Sequence, residues 1–62
     1  MKKFVYQVAS FEFSDNVAFG NAWREAKTKA AELGQPIFRL VIKGEEVRQE
    51  YFAKSGCFLL VR

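Results

Sequence analysis

Residues 37–62 read IFRLVIKGEEVRQEYFAKSGCFLLVR, and the two short glycine-containing breaks in this stretch decide the fold. Ile37 to Lys43 alternates, with Phe38, Leu40 and Ile42 pointing one way, a period-2 pattern that predicts a strand. Gly44-Glu45 is a two-residue break with Gly first, the chemistry of a type II′ hairpin turn. That turn sets a register: Lys43 opposite Glu46, Ile42 opposite Val47, Arg39 opposite Glu50, Phe38 opposite Tyr51 and Ile37 opposite Phe52. Two opposite-charge pairs and three apolar pairs follow, each able to contribute about 0.2–1 kcal/mol. A slip of one residue would exchange the two faces, so the pairing is well specified.

Lys54-Ser55-Gly56 is a three-residue break with Gly last, which suits a type I turn closed by a bulge. It places Ala53 opposite Cys57, Phe52 opposite Phe58, Tyr51 opposite Leu59 and Gln49 opposite Val61. Three consecutive antiparallel strands result.

Working outward toward the N-terminus, Gly34 and Pro36 mark the end of a helix. Phe19, Ala22, Trp23, Ala26, Ala30 and Leu33 recur at spacings of three and four, one stripe of a helix running from Val17 to Leu33. Ser14-Asp15-Asn16 offers three N-cap candidates ahead of it. Gly20 costs roughly 1 kcal/mol of helix propensity and suits a close approach to the sheet. Trp23, in mid-stripe, is expected in the core. Before the helix, Phe4, Tyr6 and Val8 alternate with Lys3, Val5 and Gln7 as a strand, and the alternation flips at Phe11 and Phe13, so this strand is expected to end or bulge near Ala9-Ser10.

The expected architecture is α+β over residues 1–62 as a single domain: β-α-β-β-β, a four-stranded, mostly antiparallel sheet with one helix packed on one face. The first strand is expected to join an edge, and a right-handed crossover through the helix would set it parallel to the next strand.

Composition narrows the function. There is no histidine and one cysteine, so neither an intrachain disulfide nor a cysteine/histidine zinc site can be built. The glycines are dispersed, with no phosphate-cradling loop, and a nucleophile–histidine triad is excluded. No catalytic, cofactor-binding or metal site is expected, and no small-molecule substrate. Cys57 is expected to be a buried, inert hydrophobe beside Ala53, Leu59 and Val61. The net charge of +3 is mild and its carboxylates are interspersed, which permits nucleic-acid binding without indicating it. No run approaches the ~20 apolar residues of a membrane span. The head of the chain is too short and too interrupted for a signal h-region, and a lone cysteine fits the cytoplasm.

A helix about 10–12 Å in diameter can cover one face of a four-stranded sheet about 19 Å across. It is expected to cover Phe4, Tyr6 and Val8 together with Phe38, Leu40, Ile42, Val47, Tyr51, Leu59 and Val61. The opposite face would then expose Ile37, Val41, Phe52, Phe58 and Leu60. Arg39, Arg48, Glu50 and Arg62 would form its charged rim. An apolar patch with a polar rim is the usual form of a binding surface. The leading expectation is a non-enzymatic protein–protein interaction domain, an accessory or regulatory unit that binds a protein partner or itself as a homodimer. The alternative is a nucleic-acid-binding module using the same aromatics for stacking and Arg39, Arg48 and Arg62 for phosphates.

Overall fold

The computed structural model describes residues 2–61. Six elements follow in order: β1 (Lys2–Val8), β2 (Phe11–Asp15), α1 (Asn21–Leu33), β3 (Phe38–Lys43), β4 (Glu46–Phe52) and β5 (Phe58–Leu60). The strands form one sheet in the order β2-β1-β3-β4-β5, antiparallel at every pairing. The class is α+β, one helix against a five-stranded antiparallel sheet.

The two C-terminal hairpins take the expected registers. Lys43 pairs Glu46, Ile42 pairs Val47, Arg39 pairs Glu50 and Phe38 pairs Tyr51. Phe52 then pairs Phe58 and Tyr51 pairs Leu59. Beyond the strand ends, Phe52 N–H donates to the Ile37 carbonyl, Ala53 N–H to that of Cys57 and Val61 N–H to that of Gln49, at 2.8–2.9 Å. Gly44 at φ +60° and Gly56 at φ +91° supply the left-handed positions both turns need.

Two corrections concern the N-terminal half. Phe11 and Phe13 are not the tail of a bulged strand. They belong to a fifth strand, β2, which folds back on β1 with Val8 opposite Phe11 and Tyr6 opposite Phe13. The intervening Ala9-Ser10 turn places Ala9 at φ +53°, a conformation that costs an L-residue roughly 1–2 kcal/mol. The first strand is also antiparallel to its C-terminal neighbour, pairing Tyr6 with Arg39 and Phe4 with Val41. It lies inside the sheet, not at an edge. Since β2 and β3 both run antiparallel to β1, they are parallel to each other. The helical crossover joins these two parallel strands over the top of β1.

The helix begins later than the spacing suggests, because Val17 and Phe19 lie in the turn before Asn21. Gly20 occupies the N-cap position without a side chain to offer. Asp15 at the end of β2 supplies the cap instead: its Oδ2 accepts the Ala22 N–H at 3.3 Å and its Oδ1 the Asn16 N–H at 2.8 Å. A Cβ at Gly20 would stand 2.5 Å from that Oδ2, so the glycine admits the cap. The bond from Ala22 N–H, followed by that from Asn16, holds the Asp15 carboxyl below its ordinary range. A depressed carboxylate stabilises the fold above its unfolded pKa, so the cap is intact at neutral pH and is lost only in acid. At the other end Gly34, at φ +65°, closes the helix with its N–H on the Ala30 carbonyl.

The helix lies over β1 and β2 and buries Ala22, Trp23 and Ala26. Trp23 reaches sideways across the sheet. Its ring centroid is 5.4 Å from Tyr6, 5.0 Å from Phe52 and 5.3 Å from Phe58. Tyr6, Val8 and Ile37 complete the buried cluster, with Phe4, Phe13, Phe52 and Phe58 packed around it. One tryptophan therefore lets a single helix reach the strands it does not sit on. No helix among the described residues is long and apolar enough to cross a membrane.

Candidate interaction surface

Alternation along each strand separates two faces, and the pairing of Tyr6 with Arg39 decides which residues share one. Phe4, Tyr6 and Val8 lie on the side of Ile37, Arg39 and Val41, together with Arg48, Glu50, Phe52, Phe58 and Leu60. That side carries the helix. The residues expected to form an exposed surface are thus brought together on one face, but it is the helix-bearing face. Ile37 is buried, Phe52 and Phe58 are half-buried against Trp23, and Val41 is half-buried. Arg48 and Leu60 are exposed at the far margin, and Arg62 lies outside the described residues.

Arg39 and Glu50 are no rim. The Arg39 Nη2 lies 2.7 Å from the Glu50 Oε1, and its Nε donates to the same oxygen at 2.9 Å. Both side chains are about nine-tenths buried. The guanidinium stacks 3.8 Å from the centre of the Phe58 ring. A cation that is paired and stacked can be accommodated in a core where a free one could not.

The helix-free face is therefore the one carrying Phe38, Leu40 and Ile42. Its side chains form three rows across the sheet. The first runs Glu12, Gln7, Phe38, Tyr51, Leu59. The second runs Ser14, Val5, Leu40, Gln49, with Val61 beyond, and the third runs Lys3, Ile42, Val47. Polar groups occupy the β2 column, and the β1, β3, β4 and β5 columns are apolar except for Lys3, Gln7 and Gln49. No described element lies over this face, and Val47 is 63% exposed, Leu59 43% and Tyr51 38%. Phe38, Leu40 and Ile42 are half-buried, shielded in part by their neighbours within the sheet.

A second feature sits at the end of the helix-bearing face that α1 leaves uncovered. Lys2, Lys43 and Arg48 surround a hollow of about 140 Å³ with Val41 and Glu46. Lys2 and Lys43 are direct cross-strand partners, an unfavourable like-charge pairing. Cys57, expected to be buried, is an exposed free thiol, because the turn carries it past the end of the core.

No protein-family model matches the chain, and neither a curated protein nor a solved structure shows significant similarity to it.

Proposed function

We propose that this chain is a small non-enzymatic protein–protein interaction domain, acting in the cytoplasm, whose binding surface is the helix-free face of the sheet. The observation that carries this reading is the apolar tract from Leu40 through Ile42 to Val47, Tyr51 and Leu59, backed by the buried Val5, on a face that no described element covers. Large exposed apolar patches mark interaction sites more often than chance, and Tyr51 is the type of residue enriched in them. Trp23, Tyr6, Phe52 and Phe58 are engaged in the core beneath the helix, and the other exposed apolar side chains, among them Phe11, Val17, Phe19 and Leu60, lie off this face.

Nucleic-acid binding is the second reading, favoured by Lys2, Lys43 and Arg48 around one hollow. Arg39 and Phe58 are not available for it, because Arg39 is neutralised by Glu50 and the Phe58 ring is occupied by that guanidinium.

A photo-crosslinking amino acid placed at Val47, compared with one at Glu25 on the outer side of the helix, separates these readings. The Val47 position should yield a protein adduct in cells and the Glu25 position none. Adducts to nucleic acid, or equal protein labelling from both positions, would overturn the proposal.

A further inference from the structure

We infer that the occupant of the helix-free face is a second copy of this chain, stacked sheet on sheet about a two-fold axis that runs across the strands through the row of Val5, Leu40 and Gln49. The inference rests on the reading of that face as an interaction surface and names its partner.

The first argument is the match between the face and its own rotated image. An axis across the strands keeps each column over itself and exchanges the first and third rows. Phe38 then meets the partner copy's Ile42, and Tyr51 meets its Val47, an aromatic over a branched aliphatic in both cases. Leu40 meets Leu40, and Gln49 meets Gln49, whose amides can each donate to and accept from the other. Lys3 arrives over Gln7, one strand spacing of about 4.8 Å from Glu12. Gln7 Nε2 already donates to Glu12 Oε2 at 3.0 Å, which holds that carboxylate toward the place where the lysine arrives. Two such charge pairs form per dimer. The other possible axis, along the strands, would lay Glu12 and Ser14 on Leu59 and Val61 and strand polar groups on apolar ones. Of these two, the cross-strand axis is the self-complementary one, with Leu59 at the margin left unmatched.

The second argument is area. Five strands at about 4.8 Å span about 24 Å, and six residues of strand span about 20 Å. The face thus offers close to 500 Å² per copy, or about 1,000 Å² for a pair, the lower bound for a specific interface. Stacked sheets lie about 10 Å apart with strands crossing near −30°, so the column-over-column match is tightest at the central strands and loosens toward β2 and β5. The third argument is the small core. Among the described residues it is a cluster of six buried side chains, and a dimer would add apolar burial to it without being required for each copy to fold.

Sedimentation velocity across a range of concentrations at low salt tests this. The wild-type chain should dimerise with a dissociation constant on the order of micromolar, as befits a minimal interface. Gln49→Glu, at an exposed position, should leave the fold intact and abolish the dimer by facing two carboxylates on the axis. Lys3→Glu should weaken the dimer about tenfold, and Lys3→Glu with Glu12→Lys should restore it. A dimer insensitive to Gln49→Glu, or one that the charge exchange fails to restore, overturns the inference. A chain monomeric at every concentration overturns it as well. In that case the Val47 crosslink to a different protein would leave the interaction surface standing, and the absence of any protein adduct would remove both.

Discussion

Trp23→Ala is expected to remove most of the stability of the folded state. Trp23, the one aromatic of α1, packs on Phe52 of β4 and Phe58 of β5, and also on Tyr6 and Phe19. Removing the indole empties the centre of that cluster and disconnects the helix from half the sheet. Such truncations cost about 3–5 kcal/mol. At about 0.05–0.15 kcal/mol per residue, a domain this short holds only roughly 3–9 kcal/mol in total. Far-ultraviolet circular dichroism should show the urea midpoint of the variant falling by more than half. A midpoint close to that of the wild type would mean that the helix docks by some other contact.

Glu50→Ala should cost about 3 kcal/mol, because it leaves the Arg39 guanidinium unpaired among Phe4, Tyr6 and Phe58. Replacing the pair by Arg39→Met with Glu50→Leu should be close to neutral or stabilising, since neither charge then has to be desolvated. A double-mutant cycle by urea unfolding measures the coupling. Additive single effects, with no recovery in the pair, would place Arg39 in solvent and contradict its stacking on Phe58.

That pair also explains how much of this molecule was legible beforehand. The β3-β4 and β4-β5 registers were readable residue by residue because Gly44 and Gly56 sit where the turns demand positive φ. The β1-β2 hairpin was hidden because its turn, Ala9-Ser10, carries none of the Gly, Asn or Asp chemistry that announces one; Ala9 takes the left-handed conformation at a cost. Because β2 precedes the helix, the crossover joins β2 to β3 and leaves β1 between them. The helix start was misplaced for a related reason: Asp15 caps it from the end of β2, across a seven-residue separation.

The assignment of faces turned on charge. Arg39 and Glu50 read as a solvated rim, which put the candidate surface on Ile37, Val41, Phe52, Phe58 and Leu60. Alternation along β3 points the other way, since Phe38, Leu40 and Ile42 make its apolar side while the side that joins the core carries Arg39, Val41 and Lys43. What decides is the aromatic set that can meet Trp23, and Arg39 enters that side with its counter-charge. A directly opposed Arg and Glu flanked by aromatics on neighbouring strands was the available signal, since a paired guanidinium can stack where a single charge cannot. The uncovered face lies on the opposite side of the sheet from the one anticipated, and Ile37, Phe52 and Phe58 pack beneath the helix instead.

Its occupation is most directly measured by the yield of protein adduct from the Val47 crosslinking position in a chain that also carries Leu40→Glu. Leu40 sits at the centre of the helix-free face, and its substitution leaves the cluster around Trp23 untouched. The account predicts a chain that unfolds cooperatively by circular dichroism and has lost the adduct. An undiminished adduct yield from a folded Leu40→Glu chain would contradict it.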